Sequence, residues 1–193
     1  ILNNNIQRKP KSKKMNVFNG QNLKLARLYN GLTINELAKK IDISSQAESQ
    51  YELGKITPQF DNLIKLSEAL NFPSSFFFQK TINSVKTGSS YFRSLMKTSK
   101  KYRDEQITKI KFLAELYTVL SEYIEFPLAD LPEIEEDAKE PEVAAQKLRE
   151  YWKLRDEPVK NMVTLLESKG LIITSFETST DDIDAFSQYF EIN

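Results

Sequence analysis

The segment from Thr33 to Gly54, TINELAKKIDISSQAESQYELG, leaves little choice of local structure. Thr33 is followed three residues later by Glu36, the spacing at which a hydroxyl and a carboxylate satisfy each other's backbone amides at a helix start. Leu37, Ala38 and Ile41 then form an apolar stripe. After a two-residue break, Ser44 or Ser45 can cap a second helix, and Gly54 supplies the terminating residue that readily takes a left-handed conformation. The reading is two short helices joined by a tight turn.

The flanking segments supply a bundle around them. GQNLKLARLYNG places Leu23, Ala26 and Leu28 at near-helical spacing with a glycine at the far end. TPQFDNLIKLSEAL predicts a helix capped by Thr57 with Pro58 in its first turn, burying Phe60, Leu63, Ile64, Leu66 and Leu70. NFPSSFFFQK predicts a short fifth helix that closes the unit, with Phe76, Phe77 and Phe78 read as core or as part of a dimer face. A helix-turn-helix inside such a unit is an arrangement used to enter the major groove of DNA.

Charge agrees with that use. The first 110 residues hold 19 of the 27 basic side chains and 8 of the 27 acidic ones, and the remainder carry the opposite surplus. A basic front half suits a polyanion; an acidic rear half does not. The chain contains no Cys and no His. That excludes disulfides, thiolate nucleophiles, imidazole bases and His-ligated zinc within these residues, and fits a reducing cytoplasm. No catalytic residue, metal site or cofactor is therefore expected. No apolar run approaches the ~20 residues that span a bilayer, so no membrane association is expected. ILNNNIQRKPKSKK lacks a starting Met and the apolar centre of a signal peptide; residues 1–15 are read as a disordered basic arm, with Met15 a candidate natural start.

The rear half reads differently. TINSVKTGSS, residues 81–90, is a polar linker, and YFRSL is a short strand. A long helix over about 100–124 aligns Ile107, Ile110, Leu113, Leu116, Leu120 and Ile124 on one face. EFPLADLPEIEEDAKEP is an acidic loop, its Glu133–Glu142 portion a solvated connector that would also be able to mask the DNA surface. PEVAAQKLREYWKL and PVKNMVTLLESKG predict two helices, each with Pro near its first turn, the second capped by Gly170; Trp152 is read as core. LIITSF is a strand with which IDAFSQYF pairs. Asp181–Asp184 are more simply a solvated turn than a cation site. The fold class is mainly α: a five-helix repressor-like unit over 16–80, then an α+β region over 91–193 with three helices and a few short strands.

The front pattern resembles the Cro/repressor-like (XRE) family. Glu36-Leu37-Ala38, Ser44, Ser49, Tyr51-Glu52, Gly54, Pro58, Leu63, Leu66 and Leu70 carry the likeness, which spans residues 18–78. The resemblance implies a transcriptional regulator, a repressor of a phage or mobile-element switch, that binds a double-stranded DNA operator as a homodimer through the helix at 44–53. On that helix Ser45, Gln46, Ser49 and Gln50 share one face and are the candidates for reading base edges. Thr33, Ser44 and Lys55 are the candidate phosphate contacts, and Arg27 and Glu52 are expected to pair structurally across the bundle. Two positions depart from the family. Leu53 replaces a common Asn that touches phosphate, and Glu48 replaces an apolar residue. Forced unpaired into that core slot, Glu48 would cost on the order of a few kcal/mol; its carboxylate is instead expected to reach solvent or to pair with Lys39 or Lys40, and Glu48→Ile is expected to raise stability and operator affinity.

Residues 91–187 resemble the front of the ImmA/IrrE-type metallopeptidase region, through AAQKLREYW, LLESKGLII and IDAFS. That family's HExxH zinc motif is not among these 193 residues. The resemblance implies a dimerisation, effector-sensing or scaffold module, with a protein effector or inducer as a further partner. Two alternatives stand beside the repressor: the non-catalytic front of a zinc metallopeptidase, and an antitoxin-like or anti-repressor protein-interaction module.

Overall fold

A computed structural model describes residues 17–81, 86–92, 99–133, 140–180 and 185–191. The basic arm at residues 1–15, Asp181–Asp184 and residues 134–139 of the acidic loop lie outside them. The chain divides into two compact units, one of residues 1–115 with 178–193 and one of residues 116–177.

In the first unit α1 (Gly20–Tyr29), α2 (Ile34–Lys40), α3 (Ser45–Glu52), α4 (Phe60–Leu70) and a 3-10 helix (Ser74–Phe78) surround one core. Phe18, Leu23, Ala26, Leu37, Ile41, Tyr51, Leu66, Leu70, Phe76 and Phe77 build it, and every helix supplies at least one of these side chains. Buried amides tie the ends together. Asn22 Nδ2 donates to the Phe76 carbonyl at 2.8 Å, and Asn30 Nδ2 donates to the Leu70 carbonyl at 2.9 Å. Gly20 begins α1 against the end of α3. A Cβ at that position would collide with the carbonyl oxygens of Tyr51 and Glu52, so only glycine lets the two backbones approach. The first part of α5 (Lys100–Leu120) belongs to this unit, with Phe112 packed 5.2 Å from the Tyr29 ring and 5.6 Å from the Phe72 ring.

Several expectations are corrected by the structure. Helix α4 starts at Phe60 with Gln59 as N-cap and no side-chain cap, so Thr57 and Pro58 precede the helix. Its buried stripe is Leu66 and Leu70 with half-buried Leu63, while Phe60 and Ile64 are 73% and 38% exposed. At 100° per residue Phe60 and Ile64 lie roughly 85° and 125° from the centre of that stripe, too far round to share it. In α5 the buried positions are Glu105, Gln106, Thr108, Lys109, Ile110 and Ala114, and the helix ends before Ile124. The division between units falls inside α5, after Glu115, so one apolar line drawn from Ile107 to Ile124 describes neither part.

The strands also differ. LIITSF forms no strand; instead β1 (Lys86–Phe92) pairs antiparallel with β2 (Phe186–Glu191) in a two-stranded sheet. The expected linker thus gives its second half to β1, and Tyr91 and Phe92 of the expected YFRSL strand are its end. The register runs Lys86 to Glu191 and Phe92 to Phe186, with an irregularity between Thr87 and Ser90. Gly88 sits in that irregularity. With Ser89 it falls between the paired residues Thr87 and Ser90, so a glycine that reads as linker in sequence lies here where the strand pairing shifts.

The second unit holds α6 (Pro141–Tyr151) and α7 (Met162–Ser168). Pro141 opens α6, as expected, but Pro158 lies outside α7, which Asn161 caps by accepting from the Thr164 amide. Asp130 ties the unit together. It accepts from Tyr151 Oη at 2.8 Å and from Lys169 Nζ at 2.8 Å, and its carbonyl accepts from buried Trp152 Nε1 at 2.9 Å. Lys169 and then Tyr151 hold the Asp130 carboxyl below its ordinary range.

Candidate nucleic-acid interface

The capping box at Thr33 is complete. Thr33 Oγ1 accepts from the Glu36 amide at 3.2 Å, and Glu36 Oε2 accepts from the Thr33 amide at 2.6 Å. Lys101 of α5 lies on the same carboxylate, at 2.7 Å and 2.9 Å from its two oxygens. Lys101, followed by the Thr33 donors, lowers the Glu36 carboxyl to about 2. Lys101 is a contact that reading along the sequence does not reveal, since 65 residues separate the partners.

The turn is short because Asp42 takes a left-handed conformation at φ 60°, which lets the Ile43 amide bond the Ala38 carbonyl at 2.9 Å. Ser44 then caps α3, its Oγ accepting from the Ala47 amide at 3.1 Å. The end of α3 is marked by Leu53 as C-cap and Gly54 at φ 66°.

Helix α3 has two chemically distinct faces. Gln46 is exposed and Ser45, Ser49 and Gln50 are partly exposed, while Glu48, Tyr51 and Glu52 are buried. The structure therefore brings the four candidate base readers together on one solvent-facing side. Thr33 and Ser44 are exposed at the starts of α2 and α3, and Lys55 is exposed just beyond α3. Both hydroxyl oxygens serve as caps, which leaves the O–H as the group that can donate to a phosphate oxygen.

Arg27 sets the orientation of this face. Its Nε and Nη2 donate to the two oxygens of Glu52 at 2.5 Å and 2.9 Å, and Nη1 donates to the Leu32 carbonyl at 2.6 Å. One guanidinium thereby joins α1, α3 and the segment leading into α2. A two-pronged ion pair between side chains only 7% exposed fixes rotation about the helix axis as well as position.

Glu48 is the correction within the site. Its side chain neither reaches solvent nor meets Lys39 or Lys40; it is 0% exposed. Neither carboxylate oxygen has a hydrogen-bond partner among the described residues. Both lysines are exposed, and Lys40 donates to the Ala69 carbonyl at 2.8 Å. The geometry is a consequence of helical spacing. Residue 48 lies three before Tyr51 and four before Glu52, so it must share their inward face whatever its polarity. Burial, then the Glu52 carboxylate, pushes its titration up to about 7, against the opposing pull of Arg27.

Leu53 is 59% exposed at the end of α3, near exposed Ile56 and Phe60 in sequence. Among the described residues no group of three or more His, Cys, Asp or Glu is arranged to hold a metal. Among them no helix is long and apolar enough to cross a membrane.

Comparison with known proteins places this geometry. No curated protein matches the chain. A helix-turn-helix family model matches residues 23–77, from Leu23 in α1 to Phe77 in the 3-10 helix, and so takes in the capping box, the turn, α3 and α4. Residues 23–77 are thus similar to helix-turn-helix domains of the XRE type.

Proposed function

We propose that the chain is a sequence-specific DNA-binding transcriptional regulator that acts in the cytoplasm as a repressor of a phage or mobile-element switch. The observation that carries the proposal is the division of α3. Its outer face offers short hydroxyl and amide side chains, and its inner face is held by the Arg27–Glu52 fork. Gln46 and Gln50 have the donor–acceptor pair that matches adenine N6 and N7, and Ser45 and Ser49 are small enough to let the helix approach base edges. Thr33, Ser44 and Lys55 would contact phosphates on either side. Two copies on a two-fold operator, with half-sites about one helical turn apart, would give the complete reader. Residues 91–187 would serve as the dimerisation, effector-sensing or scaffold module that their sequence resemblance implies.

A mobility shift against the DNA upstream of its own coding sequence tests the proposal. Binding should prefer that duplex over a scrambled one and weaken steeply between about 50 and 200 mM salt as phosphate contacts are screened. Absence of any sequence preference across that range contradicts it.

One observation favours a second reading. Leu53, Ile56 and Phe60 put apolar area beside the reading helix, where a protein partner would bury it. An antitoxin-like or anti-repressor module would co-purify with a stoichiometric protein partner and show no affinity for duplex DNA.

A further inference from the structure

The inner face of α3 carries an unpartnered acid in a chain that has little else to titrate near neutrality. Glu48 is fully buried, both of its oxygens lack partners among the described residues, and the buried Glu52 carboxylate follows one turn later. The cation that acts on it is already committed, since Arg27 gives Nε and Nη2 to Glu52 and Nη1 to the Leu32 carbonyl. From α1 the charge acting on Glu48 is Arg27, and from α3 itself it is Glu52. Helix α2, also packed on α3, buries Leu37 and Ala38 and keeps Lys39 and Lys40 exposed.

We infer that Glu48 is a proton sensor for the DNA-reading face: the helix reads DNA best with this carboxyl neutral, and losing the proton weakens binding. The inference rests on the DNA-binding function proposed above. Two physical effects give it its sign. A carboxylate in that slot is desolvated with no hydrogen bond to its oxygens, so the ionised form loosens the packing that holds α3. A duplex docked on the outer face adds phosphate charge to the same small helix and removes water, so the complex favours the neutral acid more than the free protein does. By reciprocity, whatever makes DNA binding retain a proton makes the proton improve DNA binding.

The background is quiet. With no His and no Cys, the side chains of ordinary titration lie below about 5 or above about 10, and only an α-amino group near 8 would add to the signal. The burial-driven rise of Glu48 to about 7 puts it inside the window.

The test uses the full chain and a duplex recovered from a randomised library by in vitro selection at pH 6. Its dissociation constant is measured by fluorescence anisotropy at pH 6 and pH 8 in constant salt. The wild type should bind about fivefold or more weakly at pH 8, and Glu48→Gln, which keeps the shape but cannot ionise, should bind equally at both. A wild-type constant that does not move, or an unchanged pH slope in Glu48→Gln, overturns the inference. If selection yields no duplex, the DNA-binding function itself fails. Urea unfolding then isolates the proton: a wild-type midpoint that falls between pH 5 and pH 8 while that of Glu48→Gln stays fixed keeps Glu48 as the titrating group. Equal behaviour of the two removes it.

Discussion

Glu48→Ile should raise the melting temperature of the front domain by roughly 10–20 °C at pH 8, and by much less at pH 5. The acid is fully buried and unpartnered, and it titrates near 7 in the folded protein against 4.5 when free. Between those two values the folded state binds a proton that the unfolded state has released. Stability therefore falls as pH rises from 4.5 to 7 and is level on either side of that window. The total loss is about 3 kcal/mol, a large part of the stability of a small domain. Isoleucine removes the ionisation and adds an apolar side chain to the buried face of α3 that also carries Tyr51. At pH 5 only the unsatisfied neutral carboxyl remains to be relieved, so the gain shrinks. Thermal scans of both proteins at both pH values measure this. A gain that is equal at pH 5 and pH 8 would show that the charge is not the cause.

Arg27→Ala should have the opposite effect and cost about 3–5 kcal/mol. The substitution leaves Glu52, 6% exposed, as a buried carboxylate without its fork, with Glu48 one turn away on the same helix. It also strips the Leu32 carbonyl of its donor. Because a domain of this size has little more than that in reserve, cooperative unfolding in urea should begin at far lower denaturant or vanish. Lysine is no substitute, since a point charge cannot span both oxygens of Glu52 and the Leu32 carbonyl together. Replacing both partners, as in Arg27→Met with Glu52→Leu, should recover most of the loss, because no buried charge is then left alone. An Arg27→Ala midpoint close to the wild type would mean that the pair does not hold α3.

The contrast between these two positions shows what the sequence makes legible. Thr33 with Glu36, Ser44 and Gly54 act on backbone groups within four residues of themselves, so their effect can be read locally, and each appears at the helix end it marks. The face carrying Ser45, Gln46, Ser49 and Gln50 follows from the same short-range periodicity. Burial of Glu48 follows from it too, through Tyr51 and Glu52, but polarity alone points the other way. The position was set by packing and the side chain had to comply. Longer-range facts were not legible. Lys86–Phe92 finds its partner in Phe186–Glu191 across most of the rear half of the chain, whereas the nearer LIITSF offered a local match. Polar Glu105 and Gln106 are buried in α5, and no apolar stripe announces them. Asn161, an ordinary cap, outweighs Pro158 at the start of α7 because the extended residue it occupies can reach the Thr164 amide.

A transcriptional regulator of this kind requires that the outer face of α3 choose a DNA sequence. The direct measurement is the ratio of dissociation constants for the preferred and a scrambled duplex, in the wild type and in Gln46→Ala with Gln50→Ala. Each bidentate amide–adenine contact is worth about 1–3 kcal/mol of discrimination. The double variant should therefore keep its fold and its salt-dependent phosphate affinity while the ratio falls by roughly tenfold or more. A ratio unchanged by both substitutions would contradict the assignment of α3 as the reading helix.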